Sequence, residues 1–332
     1  MLKRIVIGLL IGSSIPFILL AIYLFRPLSY TPHPANFECV SLADGRFEAL
    51  EPKAGYIYGI GLSYSQHIDE TASSFDPNES PPIFEKSRIS LSGHGQKIAM
   101  PSRKDLIQAL EGMEPGLGQR VDENFEELPV LLDYEVELAF VLLEDIQDSD
   151  FANEDFAPDL GFFLANDVSS RIIAVLGEGQ PNRYDYWGLS KSFPGFLPVS
   201  DRIWIPNESG PRTLPCITIE SHVNDEQRQS SSTSDMIYTP AELIRYIHKK
   251  YPDRKLKKGD IVLMGTPGGV AFQTPRWLAR MASLVSMDRF GKLRAVLRRD
   301  TRFLEVGDQM RIQAEGFDAV ENEIVYPQKN HP

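Results

Sequence analysis

Residues 133–140 read Asp-Tyr-Glu-Val-Glu-Leu-Ala-Phe, and no other stretch limits so sharply what the chain can fold into. Its residues suit a strand, where side chains alternate, so Glu135 and Glu137 face one way while Val136 and Leu138 face the other. Apolar neighbours on both sides predict a substantially buried strand. Two carboxylates about 7 Å apart on one buried face repel each other and are costly to desolvate unless something cationic sits between them. Lys or Arg can fill that place, and a hard divalent cation that takes oxygen ligands fills it more compactly. Standing alone, however, the octapeptide is better read as an exposed edge carrying two solvated glutamates.

The rest of the chain sets the context. It has 332 residues, 42% of them hydrophobic and 24% charged, enough to bury a substantial core in one large domain or two smaller ones. A formal net charge of −12 argues against a general affinity for nucleic acid. Cys39 and Cys216 form no CxxC pair and indicate neither a zinc site nor a disulfide framework. They read as two small buried or unreactive residues, with pairing left open for an oxidising compartment.

Ile5 to Phe25 is an unbroken apolar or small-residue run flanked by Lys3, Arg4 and Arg26. At about 1.5 Å per residue it spans roughly 32 Å, enough to cross a bilayer core. The competing reading, a cleaved signal peptide, calls for an apolar region of about 7–15 residues ending at a small-x-small site. Here the run ends Leu24-Phe25-Arg26-Pro27, which favours an uncleaved anchor and hence membrane localisation. Lys3, Arg4 and the terminal amine outweigh Arg26, placing the N-terminus in the cytoplasm and the remainder on the extracytoplasmic side.

Three parts follow: an anchor over 1–27, a linker with a small N-terminal or lid region over 28–95, and a catalytic domain over 96–327. Strand-like runs recur at 56–62, 89–91, 128–143, 161–164, 203–205, 216–223, 260–264 and 309–314. Two helix starts are well marked. Ser102 and Asp105 have capping-box spacing before Leu106, Ile107 and Leu110, and Thr239 precedes Pro240 and Glu242 ahead of Leu243, Ile244 and Ile247. Helical patterns are too few for a βαβ alternation, so the fold class is a strand-dominated α+β domain with few helices. One insertion, 273–303, is basic in an otherwise acidic protein. It carries Arg276, Arg280, Arg289, Lys292, Arg294, Arg298, Arg299 and Arg302 against Asp288 and Asp300. Its apolar spacing predicts two short amphipathic helices split near Gly291, packed on the domain or lying at a lipid headgroup surface.

Thirty residues past the glutamates stands "GFFLANDVSSR", an apolar strand ending in Asn166-Asp167. Together with "YEVELAFVL" it resembles the metal-binding motifs of the fumarylacetoacetate hydrolase family. The other segments resemble that family in order: "GIGLSYSQHIDE", "PPIFEKSRISLSGHGQKIAMP", "WGLSKSFPGFLPVS", "VNDEQRQSSSTSDMIY", "KKGDIVLMGTPGGV" and "FLEVGDQMRIQAEGF". Each motif is weak alone, whereas their joint order over roughly 55–325 is specific. The resemblance implies a mixed β-roll or barrel, a divalent Mg²⁺ or Mn²⁺ (Ca²⁺ as a further option) held by Glu135, Glu137 and Asp167, and a homodimer. It further implies a lid dyad of His67 and Glu70, an active-site Lys191, and Thr266 against substrate or a metal-bound water.

The expected chemistry follows. The metal chelates a small diketo or 2-oxo acid, Glu70 orients His67 as general base on a water, and Lys191 meets a carboxylate or a developing oxyanion. The leading expectation is hydrolysis of a carbon–carbon bond in an acylpyruvate- or fumarylacetoacetate-like acid. Decarboxylation or isomerisation on the same site is the alternative, as is a non-catalytic, membrane-tethered oxo-acid-binding protein. Ser63, Ile172, Ala174, Pro194 and Met264 depart from the family pattern around the substrate pocket, so substrate identity does not carry over.

Overall fold

The computed structural model describes residues 17, 19–25, 32–51, 55–70, 80–284, 287–298 and 302–327. A nine-stranded mixed sheet forms the frame. Its path runs Gly45–Ala49, Arg202–Pro206, Leu160–Asn166, Val136–Leu142, Ile261–Leu263, Ile57–Ile60 and Ile83–Lys86, with Leu197–Val199 and Leu91–Gly93 attached off that path. Val136–Leu142 pairs antiparallel with Leu160–Asn166 along its length, so that Val136 stands opposite Asn166. A five-stranded sheet holds Glu226–Ser232, Thr218–Val223, Gln309–Ala314, Val320–Val325 and Ile98–Ala99.

Both faces of the strand Val136–Leu142 are covered. Val136, Leu138, Phe140 and Leu142 enter one apolar cluster with Ile219, Leu243 and Ile312. Ala139 and Val141 enter another with Phe163 and Leu263. Each fully buried side chain of this size contributes about 1.5–3 kcal/mol of transfer free energy. Glu137 shares the parity of Ala139 and Val141, so the pattern that buries the strand also carries a carboxylate inside. The exposed-edge alternative does not hold.

The architecture is α+β as expected, yet the described residues hold eight α-helices, more than the sequence pattern suggested. The two marked starts form as predicted: both capping boxes are complete, at Ser102 for Arg103–Met113 and at Thr239 for Pro240–Lys250. Arg171–Gly177 went unforeseen because Ile172, Ile173 and Val175 have strand propensity and the helix is buried nearly all round, which erases its amphipathic signal.

The basic insertion does form two helices, Arg276–Leu284 and Arg289–Leu297. The break falls before Gly291, because Asp288 caps the second helix by accepting from the Gly291 N–H at 2.6 Å. That second helix turns its apolar face to the protein. Leu293 is fully buried in the helical core, Phe290 meets Phe125 edge-on at 5.9 Å, and Arg289 donates to Glu114 at 2.7 Å. Its face is thus occupied by protein, not turned to a lipid surface. The first helix differs: Trp277 and Leu284 are about half exposed, and Arg280 donates from Nη1 to the carbonyls of Tyr23 and Leu24, both at 3.0 Å.

Two expectations are corrected. Cys39 and Cys216 are joined in a disulfide, with Cα atoms 5.2 Å apart. The strand Glu38–Val40 runs parallel to Thr213–Pro215 and brings the two cysteines together across a long sequence gap. The membrane anchor over residues 5–25 is not supported either. Residues 5–16 and 18 lie outside the described residues, and among the described residues no helix is long and apolar enough to cross a membrane. Membrane localisation and the extracytoplasmic side inferred from the anchor fall with it.

Candidate metal centre

The chain leaves the short strand Leu132–Asp133, turns at Tyr134-Glu135, and enters Val136–Leu142. Glu135 sits in the turn and Glu137 in the strand. Asp167 follows the paired strand Leu160–Asn166, and its N–H donates to the Glu135 carbonyl at 2.9 Å. Asn166 completes the joint, its Oδ1 accepting from the Glu135 N–H at 3.0 Å. One carboxylate oxygen from each of Glu135, Glu137 and Asp167 lies within 4.8 Å of the others, and all three residues are buried.

Cations surround this triad. Lys191, at the end of the helix Arg183–Ser190, donates to Glu135 Oε2 and Asp167 Oδ2, both at 2.6 Å, and to Ser169 Oγ at 2.8 Å. Lys86 donates to Asp167 Oδ1 and, at 3.0 Å, to the Phe196 carbonyl. Arg171 donates to Glu135 Oε1 and to Asp133 Oδ2, the latter at 2.7 Å. Asp133 is saturated: it also accepts from the N–H groups of Tyr134, Ala271 and Phe272 at 2.8–3.0 Å.

Charge is unevenly matched across the triad. Burial alone would raise the Glu135 carboxyl, but Lys191 and Arg171 hold it well below the usual range. Glu137 is pushed well above it, by burial and by the negative charges of Asp167 and Glu135. Among the described residues its one short polar contact is the Gly265 N–H at 2.7 Å. Gly265 has φ +93°, and a Cβ there would lie 2.5 Å from Ser63 Oγ, so only glycine presents its N–H this way. An all-oxygen triad with one under-compensated member fits a hard divalent cation, Mg²⁺, Mn²⁺ or Ca²⁺, and lacks the nitrogen and sulfur ligands that zinc prefers.

The remaining expected residues cluster around it. His67 is buried on the helix Ser65–Glu70. Burial lowers its pKa to about 4, with Glu135 and Asp133 opposing and Arg171 and Lys191 adding to the shift, so the imidazole is neutral at pH 7. Glu70 accepts at Oε2 from the Gly269 N–H at 2.8 Å, and burial raises its carboxyl. Gly269 is held at φ +101°, where an added Cβ would meet the Arg228 carbonyl at 2.2 Å. Thr266 donates to the Val136 carbonyl at 3.0 Å and accepts from Gln229 Nε2 at 2.8 Å.

Sequence reasoning missed Lys86, Asp133, Arg171 and Gln229 as parts of the site. Lys86 carried a signal, since it shares the buried parity of Phe84 in the strand Ile83–Lys86. Asp133 abuts the glutamate motif, and Arg171 closes the Asn-Asp segment. Gln229, which donates to Thr266 and accepts from the Val136 N–H at 3.0 Å, lies in a polar run with no such mark.

Comparison with known proteins finds relatives over most of the chain. Residues 56–325 match the model for the fumarylacetoacetate (FAA) hydrolase C-terminal domain. The oxaloacetate tautomerase YisK of Bacillus subtilis (strain 168) is 29% identical over 260 residues, 76% of this chain and 73% of that protein. The 2,4-didehydro-3-deoxy-L-rhamnonate hydrolase of Sphingomonas sp. (strain SKA58) is 30% identical over 219 residues, 65% of this chain and 62% of that protein. Among solved structures, a putative HpcE protein from Mycobacterium smegmatis superposes with a TM-score of 0.55 at 22% identity, covering 83% of this chain and 76% of that one. This last likeness concerns the fold alone.

Proposed function

The chain belongs to the fumarylacetoacetate hydrolase family, and from that premise we propose that it is a divalent-metal-dependent hydrolase cleaving a carbon–carbon bond in a small diketo or 2-oxo acid of the acylpyruvate type. The observation that carries this reading is the buried triad Glu135, Glu137 and Asp167, one carboxylate oxygen of each lying within 4.8 Å of the others. Mg²⁺ or Mn²⁺ held there would supply Lewis-acid polarisation of a chelating substrate's oxygens.

The chain's own groups do the rest. His67, buried and neutral, takes the proton of a water as its oxygen adds to the ketone carbon; such help is typically worth about 10²–10⁴-fold. The bond to the departing carbon then breaks, its electron pair leaving on that carbon as an enolate, which takes back the proton held by His67. Lys191 offers a positive charge to the substrate carboxylate. Glu70 braces the Gly268-Gly269 turn, and Thr266 ties that segment to the glutamate strand through the Val136 carbonyl and Gln229.

Keto–enol tautomerisation of a 2-oxo acid is the second reading. Glu70 commits an oxygen to Gly269, and a tautomerase requires only that His67 move a proton at carbon, with no water to activate. The name of the Bacillus relative points the same way.

Both are tested with a panel of acylpyruvates and oxaloacetate assayed with MnCl₂. The expected result is pyruvate release that EDTA abolishes and that His67→Ala lowers by about 10²-fold or more. Enol–keto interconversion of oxaloacetate with no acylpyruvate cleaved would move the assignment to the tautomerase. Hydrolysis at the wild-type rate by His67→Ala would remove His67 as the base.

A further inference from the structure

Two lysines grip opposite oxygens of one candidate ligand. Lys86 holds Asp167 Oδ1 and Lys191 holds Asp167 Oδ2. Their other contacts differ in kind. Lys86 lies in a strand of the main sheet, its side chain has no solvent exposure, and its second partner is a backbone carbonyl, that of Phe196. It touches a single member of the triad. Lys191 ends a helix and bridges two members, with its ammonium 2.6 Å from both Glu135 Oε2 and Asp167 Oδ2.

A divalent ion sharing those carboxylates needs their oxygens at about 2.0–2.6 Å. An ammonium that touches both leaves no room for it, and the two positive charges would stand within a few ångströms of each other. Lys86 creates no such conflict, because Oδ1 can stay with Lys86 while Oδ2 turns to the ion. Partners that hold a metal ligand from behind typically alter metal affinity by about 10–100-fold.

We propose that Lys86 is a positioning residue that fixes Asp167 for the cation, while Lys191 is an exchangeable ammonium that must vacate the cation's place and is thereby released toward the substrate. This rests on the triad binding a cation and not on which reaction follows. The two lysines, alike in charge and both in contact with Asp167, therefore act on metal affinity with opposite signs.

The test is a titration of the full chain with MnCl₂, following free Mn²⁺ by electron paramagnetic resonance, without substrate or turnover. Lys86→Met should weaken binding by about 10–100-fold, and Lys86→Arg should recover much of it. Lys191→Met should bind Mn²⁺ about tenfold more tightly than wild type, a shift of about 1.4 kcal/mol. Should Lys191→Met be unstable without metal, its thermal midpoint read with and without MnCl₂ gives the same answer: a larger metal-induced rise than wild type, against a smaller one for Lys86→Met. Weaker binding in both variants, or no change in either, overturns the proposal. Absence of Mn²⁺ binding by the wild-type chain would instead overturn the metal reading beneath it.

Discussion

Charge is concentrated in two regions of this protein, and the structure treats them in opposite ways. In the network of Asp133, Glu135, Asp167, Arg171, Lys86 and Lys191, every group is buried or nearly so, and each is matched by a partner of opposite sign. In the basic insertion, arginines pair nearer the surface, Arg289 with the partly exposed Glu114 and Arg302, past the second helix, with the exposed Glu226. A buried pair is weak evidence for stability as a whole, yet breaking it is expensive because the orphaned charge stays inside. Surface pairs contribute about 0–1 kcal/mol, so the insertion must be held by its apolar face. Sequence alone shows only the insertion as a charge cluster and scatters the network along the chain; folding and burial gather the candidate centre and leave the insertion a docked appendage.

The largest expected effect comes from breaking the first region. Arg171→Leu leaves Asp133 and Glu135 facing each other without their shared cation and should lower unfolding free energy by about 3–5 kcal/mol in urea titrations. A loss under about 1 kcal/mol would mean water enters the network freely, and the contrast would dissolve. Next is Leu293→Ala, which empties the buried anchor of the second insertion helix and should cost about 2–5 kcal/mol in the same assay. If the cost is negligible, the helix is not held by its apolar face.

A smaller effect belongs to Glu114, which accepts from Arg289, Tyr186 and Arg120. The hydrogen bond from Arg289 leads in lowering its carboxyl from 4.5 to about 2, with Tyr186 and Arg120 assisting and burial opposing. A depressed folded-state value stabilises above the unfolded pKa, so the contribution is complete above about pH 4.5 and disappears as the pH falls toward about 2. Glu114→Gln should flatten the acid limb of the stability curve over that window and cost under about 1 kcal/mol at neutral pH, since the side chain is about a third exposed. An acid limb identical to wild type would show that Arg289 is not tethered there. Least of all, Trp277→Ala on the exposed face of the first insertion helix should shift stability by no more than about 0.5 kcal/mol. A larger loss would show that Trp277 is covered in solution.

Much of the frame was legible because short-range chemistry decides it. The strand Gln309–Ala314 appears with its predicted bounds, and the boxes at Ser102 and Thr239 start their helices as expected. The triad was found through its motif order, since parity places Glu137 inward but says nothing of Asp167, which pairing of the two central strands delivers. What stayed hidden depends on long-range partners. Lys86 meets Asp167 across 81 positions and Gln229 meets Thr266 across 37, and no local pattern encodes either. The apolar run near the N-terminus shows the converse error: local hydropathy alone suggested a membrane span that no described helix is long enough to make.

The cross-link between Cys39 and Cys216 makes the chain a closed covalent loop with two tails. Seven of the acidic and basic groups gathered at the centre, from Lys86 to Lys191, together with His67, are threaded on that loop, whereas Thr266 and the insertion hang from one tail. A single peptide-bond cut anywhere between residues 40 and 215 therefore opens a ring instead of releasing a piece. Under denaturing conditions without reductant, a nicked molecule keeps its candidate ligands in one covalent particle; with reductant, it parts into two.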